Sequence, residues 1–264
     1  MSFIITMKRK AETELIEIED SRLDEEIVLA QVKKKLLVED YARILKKLEK
    51  CIPAVINSFK STMIFAQEEA GTAVCISESG LILTCGHCVG DSTRNALGKE
   101  QVIIFANGDI HTTKCVKFDY TRDLAVLKII SAAEGAKFPF ICIDPSVNAK
   151  IGSSVFCFGQ PGRWDLESAK KRSTGYRLLQ ESDGKYLGIN EDSEDPHDNS
   201  DIGQMSHTAW TYWGHSGAPI ILKSTGALIG LHSSWDDETC TRHGIPLVAI
   251  VAFTNKKVEF ITID

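Results

Sequence analysis

A chain of 264 residues with 43% hydrophobic content can bury one large core or two small ones. Its formal charge of −6 argues against a general nucleic-acid-binding surface. No apolar run is long enough to span a bilayer, and MSFIITMKRKAETE turns charged too early for a secretory leader, so no membrane partner is expected. The eight cysteines sit mostly in apolar, strand-like runs, where a thiol behaves as a small hydrophobe. Reduced thiols and an intracellular location, cytoplasmic or nuclear, are the expectation. Met7-Lys8-Arg9-Lys10 is too short to count as a nuclear signal.

Residues 1–50 form a helical N-terminal extension, dense in Glu and Lys between Lys8 and Lys50 and free there of Gly and Pro, with Pro53 closing it. Leu37, Tyr41, Ile44, Leu45 and Leu48 share one helical face, while Val28, Leu29, Val32 and Leu36 form a stripe rotated away from it. One bent helix or two fit this pattern. Its role has two readings: a helix packed on the domain behind it, or an arm for homo-oligomerisation or partner binding.

From Ala54 onward the pattern changes to short β-branched and aromatic runs: AVINSF, TAVCIS, LILTC, VIIFA and LAVLKII, with turns at Ser79-Gly80 and Asn107-Gly108. After Pro145 come SVFCFGQ, RLLQ, APIILK, ALIGLHSS and PLVAIVAF, with Asn255 to Ile261 read as a short C-terminal helix. Two β-barrels, residues 55–140 and 146–253, fit this count better than one sandwich. Both belong to a mostly β domain of residues 51–264. Glu181 to Asp201, the most acidic stretch, reads as an exposed mobile loop within an insert from Gly162 to Met205.

Three stretches carry chemistry. In LILTCGHCV, His87 follows directly on a strand, a position that aims an imidazole, although a lone histidine proves little. In YTRDLAVLKI, Asp123 stands at the mouth of an apolar strand, where its carboxylate needs a donor. In GHSGAP, two glycines permit a tight turn presenting Ser216 with amides converging beside it. The commonplace reading is three turn or capping residues. The order His, Asp, Ser, each on a loop at a strand end, is that of chymotrypsin-like enzymes. Cys85 and Cys88 flank His87 as C-x-x-C, but a single pair lacks the further ligands zinc needs and opens no helix, so neither metal nor redox chemistry is expected.

LEKCIPAVINS, GTAVCISESGLILTCGHCV, RDLAVLKI and GHSGAPIILKSTGALIG together resemble the trypsin-fold serine proteases of the HtrA/Do type. The resemblance implies a chymotrypsin-like double β-barrel with no cofactor and a protein or peptide substrate. It makes His87 the base, Asp123 its orienting partner and Ser216 the nucleophile, with an oxyanion hole from the N–H groups of Gly214 and Ser216. His215 stands where trypsins carry the aspartate that pairs with a freed amino terminus, so that switch cannot operate. Cys88 matches a cysteine of secreted trypsins, but Ala70-Gly71-Thr72 offers it no partner. No segment matches the PDZ domain usual in HtrA proteins.

The resemblance also places Thr211 and His232 in the primary pocket, as in glutamyl endopeptidases, implying Glu or Gln before the scissile bond. A hydroxyl and an imidazole can each donate to a carboxylate. The bland reading of His232 is an internally bonded core residue. Ser233 is expected to pair its backbone with an extended substrate. A trypsin-fold module that binds peptides without cutting them is the alternative function.

Overall fold

The computed structural model describes residues 2–166, 169–170, 172–190, 193–236 and 241–255, with side chains described from residue 21 onward. A single helix, α1 (Ser2–Leu48), precedes a short second helix, α2 (Pro53–Lys60). Barrel one follows: β1 (Thr62–Phe65), β2 (Thr72–Cys75), β3 (Leu81–Cys85), β4 (Glu100–Phe105), β5 (Ile110–Asp119) and β6 (Leu124–Ile129). Barrel two contains β7 (Ser154–Gly159), β8 (Gln180–Ile189), β9 (Met205–His207), β10 (Pro219–Leu222), β11 (Leu228–Asp236) and β12 (Thr241–Pro246). A one-turn helix, α3 (Thr93–Ala96), precedes β4, and α4 (Leu247–Asn255) packs behind barrel two. The strands close in the orders β1-β2-β3-β6-β5-β4 and β10-β11-β12-β9-β8-β7. Closure leaves no unpaired sheet edge to template aggregation.

Side-chain alternation explains why several strands read as unbroken apolar runs. Along β1, Met63 and Phe65 point into barrel one beside Ala73, Ile82 and Leu127. The intervening Ile64 points outward, yet it too is covered, joining Leu83, Phe158, Ile221 and Leu231 in a layer shared by both barrels and the helices. Barrel two fills its interior with Val155, Cys157, Met205, Ile220 and Ile229. Seven cysteines among the described residues are free thiols. No helix is long and apolar enough to cross a membrane among the described residues.

Several expectations need correction. AVINSF is not a strand but most of α2, because Pro53 at its start is preorganised for a helix. That winding puts Val55 and Phe59 on one buried face, Phe59 stacking on Tyr41 of α1 with ring centroids 5.5 Å apart. Pro53 therefore opens a helix, while α1 has already ended at Leu48. After Pro246, which ends β12, the run LVAIVAF is likewise helical: its unbroken apolar composition hides the period, and the buried positions Ala249, Ile250 and Phe253 follow helical spacing. Of the expected helix from Asn255 to Ile261, only Asn255 falls within the described residues. RLLQ contributes only Gln180 to a strand. Glu181–Ile189 is no loop, since β8 pairs with β7 throughout Ser154–Gly159 and with β9 beyond it. Its alternating exposure and its acids mask it in the sequence.

Helix α1 buries Glu26, Ala30, Lys33, Leu37, Asp40, Ile44 and Leu48, a mixed face of apolar and charged groups. Val28, Val32 and Leu36 remain exposed. Each buried charge meets a backbone or side-chain partner in the barrels. Glu26 accepts from the Val102 amide at 2.7 Å, and Asp40 accepts from the Leu179 amide at 3.1 Å. Arg43 and Lys47 reach Glu181 on β8. Leu37, fully buried within the layer shared by the barrels, makes the helix part of the core. Leu37→Ala is expected to lower unfolding stability by roughly 2–5 kcal/mol, read from denaturant melts.

Candidate active site

The mouth of β6 is shaped around Asp123, whose φ of +50° is the only positive value at a non-glycine residue among those described. This twist turns the carboxylate back toward the 3-10 turn Gly86–Cys88 that follows β3. Asp123 Oδ1 accepts the His87 backbone N–H at 2.9 Å, and Oδ2 lies 2.8 Å from His87 Nδ1. The Gly86 N–H donates to the Asp123 carbonyl at 2.8 Å, locking the two segments together. The His87 ring is thus fixed with Nδ1 on the carboxylate, while its side chain stays half exposed.

Burial opposes charge on this imidazole, but the adjacent Cys88 sulfur and the Asp123 carboxylate outweigh it. They hold the His87 pKa above the ordinary histidine value. Cys85 Sγ, His87 and Asp123 place three donor atoms within 4.8 Å of one another. Cys85 makes a poor metal ligand there: burial pushes its thiol well above the usual value, and its Sγ donates to the His232 carbonyl at 3.3 Å. His87 and Asp123 are already joined to each other.

Ser216 sits in the turn between Trp210 and Pro219, held against barrel one by Thr72. The Thr72 N–H donates to the Ser216 carbonyl and its Oγ1 to the Gly214 carbonyl, both at 2.9 Å. Two glycines make this approach possible. A Cβ on Gly217, at φ +84°, would lie 2.0 Å from the Thr72 carbonyl oxygen. One on Gly214, at φ +97°, would lie 2.2 Å from Ala70 Cβ and 2.5 Å from the Gln160 carbonyl oxygen.

The Trp213 carbonyl accepts the Gly162 N–H. Because that peptide is trans, the Gly214 N–H points the opposite way. Among the described residues no acceptor pairs with the N–H groups of Gly214 or Ser216. His87, Cys88, Gly214 and Ser216 line one cleft of about 810 Å³, walled further by Glu68, Trp164 and Trp213. The Ser216 hydroxyl donates to the Ser233 carbonyl at 3.1 Å, rather than to His87.

The expected pocket residues are all buried: Thr211, His232 and Ser233 are 7%, 4% and 7% exposed. His232 Nδ1 lies 3.2 Å from Nε2 of His207, a residue on β9 that no motif singled out. Only the pairing of distant strands brings these two rings together at 5.3 Å between centroids. Arg242 was equally invisible in the sequence. It pairs in register with His207, its Nε is buried without a partner, and its charge lowers the pKa of His207, His215 and His232. Burial is the larger cause in all three, bringing His207 to about 3 and His215 to about 4. His215, fully buried, contacts the Tyr212 carbonyl through Nδ1 at 3.0 Å and leaves Nε2 unpartnered.

The family profile described as a trypsin-like peptidase domain matches residues 71–231. Serine protease HTRA3 of Rattus norvegicus is 27% identical over 192 residues, covering 70% of this chain and 38% of that protein. Serine protease HTRA1 of Xenopus tropicalis is 27% identical over 198 residues, covering 73% of this chain and again 38% of the relative. The chain therefore spans little more than a third of the length of these curated relatives. A serine endoprotease from Yersinia pestis superposes with a TM-score of 0.56 at 22% identity, covering 77% of this chain and 64% of that one. An inactive mutant of Rv3671c from M. tuberculosis gives 0.55 at 16%, covering 76% and 88%. At these identities the two structures show the shared double-barrel fold.

The buried histidines give an acid-stability prediction. Folding depresses the pKa of His207 and His215, so their neutral forms contribute stability that is fully present above the ordinary value of 6.5 and is lost as pH falls through about 4 for His215 and about 3 for His207. Denaturant midpoints should fall as pH drops across that window. The fall should be smaller in His207→Phe, which has no buried imidazole there to protonate.

Proposed function

We propose that this chain, which belongs to the trypsin-like peptidase domain family, is a serine endopeptidase working through His87, Asp123 and Ser216. The observation that carries the reading is the carboxylate-held imidazole sharing a cleft with Ser216 and two unpaired backbone N–H groups. In the reaction, Ser216 Oγ turns from the Ser233 carbonyl and attacks the peptide carbonyl, passing its proton to His87 Nε2. Asp123 keeps Nδ1 protonated and stabilises the imidazolium. The N–H groups of Gly214 and Ser216 receive the developing oxyanion, an interaction worth on the order of 3 kcal/mol per donor in related sites. His87 then protonates the leaving amine, and water resolves the acyl-enzyme.

Hydrolysis requires His87 neutral at the outset. Its raised pKa places the acid limb of activity above the ordinary histidine range. The substrate would lie as an added strand against Ser233, whose carbonyl it takes over from the resting Ser216 hydroxyl.

The pocket favours an acidic or amide side chain at P1. If His207 Nε2–H donates to His232 Nδ1, the far nitrogen of His232 carries a proton to offer a carboxylate beside Thr211. The unpartnered Arg242 Nε adds positive potential from the neighbouring strand and favours Glu over Gln. One observation favours a second reading, a peptide-binding module without turnover: the Ser216 hydroxyl rests on Ser233 rather than on His87.

A serine-directed phosphonate separates the two. Stoichiometric labelling of Ser216 in the wild type, abolished by Ser216→Ala and His87→Ala, is the expected result, with Asp123→Asn slowing turnover by about 10⁴. A wild type inert to the probe from acid to alkaline pH sinks the peptidase in favour of the binder. In a peptide library, cleavage after Glu should dominate and decline in Arg242→Ala; a preference for Arg, Lys or Phe refutes the pocket.

A further inference from the structure

We infer that Lys33 of α1 is a positioning residue for the oxyanion loop: its ammonium clamps the turn at residues 66–71 to Gln160, the two surfaces on which Gly214 is seated. The inference rests on the peptidase reading and goes beyond it, because Lys33 lies outside the residues matched by the family profile.

All three donors of this ammonium are used. Lys33 Nζ donates to the carbonyls of Phe65 and Gln67, each at 2.8 Å. With the Gln160 amide oriented to satisfy its surroundings, its oxygen accepts from Lys33 Nζ at 3.1 Å and its nitrogen donates to the Gly71 carbonyl at 3.2 Å. The lysine thus ties the end of β1, the turn after it, and the residue after β7 into one unit.

That unit forms the seat of Gly214. Ala70 and the Gln160 carbonyl are the groups a Cβ on Gly214 would strike. The Gln160 N–H also donates to Thr72 Oγ1 at 3.0 Å, and the same hydroxyl donates to the Gly214 carbonyl at 2.9 Å. Loosening the turn would free Ala70 and Gln160 to shift, and with them the peptide that carries the unpaired Gly214 N–H. Catalytic hydrogen bonds tolerate little displacement, so the loss should appear in the chemical step.

Energetics set this lysine apart from an ordinary packing contact. It is 7% exposed, and burial lowers its pKa to about 8, with Glu26 opposing the drop. A neutral side chain of the same length would fill the site without desolvating a charge. Here the cation comes from a helix ahead of the barrels and reaches the loop only through the turn after β1 and Gln160.

The test is phosphonate labelling of Ser216 in Lys33→Ala and Lys33→Met, alongside the wild type. Both variants should label about tenfold to a hundredfold more slowly. Peptide turnover should lose kcat with little change in KM. Propylammonium, filling the space left in Lys33→Ala, should restore much of the rate, whereas propanol should not. If Lys33→Ala does not fold, Lys33→Met carries the test, since it keeps the stem and removes only the donors. Wild-type labelling with unchanged rates in the folded variants, or equal rescue by propanol and propylammonium, overturns the positioning role alone. An inert wild type overturns the peptidase reading, and the positioning role with it.

Discussion

Thr72 begins the second strand of barrel one, yet its N–H and its side chain are spent on barrel two. Its N–H holds the Ser216 carbonyl, its Oγ1 holds the Gly214 carbonyl, and its own carbonyl accepts from Thr84 Oγ1 at 2.7 Å. Thr84 lies on the strand that leads into His87, so one short network sets Ser216 and the imidazole in a common frame. The arrangement is crowded by necessity. Any side chain at Gly217 would collide with the Thr72 carbonyl, which is why the turn carrying the serine needs glycine there. Thr72 and Thr84, fully buried on this seam, are tolerable there because they are paired.

Around this seam the protein maintains two opposite electrostatic environments. On the barrel-one side, Asp123 and Cys88 favour the imidazolium of His87 despite its desolvation. On the barrel-two side, His207, His215 and His232 sit near Arg242 under heavy burial and stay neutral. An imidazole that favours its charged form and three that stay neutral therefore coexist in adjoining regions. The difference arises because Cys88 and Asp123 outweigh burial at His87, whereas burial prevails at the three histidines of barrel two and Arg242 adds to it.

The helix ahead of the barrels departs from the usual amphipathic design. Glu26, Lys33 and Asp40 recur every seven residues on its buried face, between Ala30, Leu37 and Ile44. Each satisfies backbone groups that the barrels leave exposed: the start of β4, the turn after β1, and the approach to β8. Such pairs contribute orientation more than net stability, because desolvation offsets most of their attraction. Apolar neighbours glue the helix down, and the charged ones fix its register.

What the sequence determined by itself was whatever depends on neighbours along the chain. The motifs around His87, Asp123 and Ser216, their order, and the mostly β double-barrel architecture were legible because short β-branched runs broken by turn residues are local signals. The apolar face of α1 through Leu37, Ile44 and Leu48 was legible for the same reason. Apolar runs without a period were not: AVINSF and PLVAIVAF became helices because tertiary burial overrode β-branched propensity. Only the tertiary structure decided that Glu26, Lys33 and Asp40 face inward, that His207 meets His232, and that Arg242 stands beside them. Those are pairings between segments far apart in the chain, and the free energy of burying a charge depends on a partner that no local window contains.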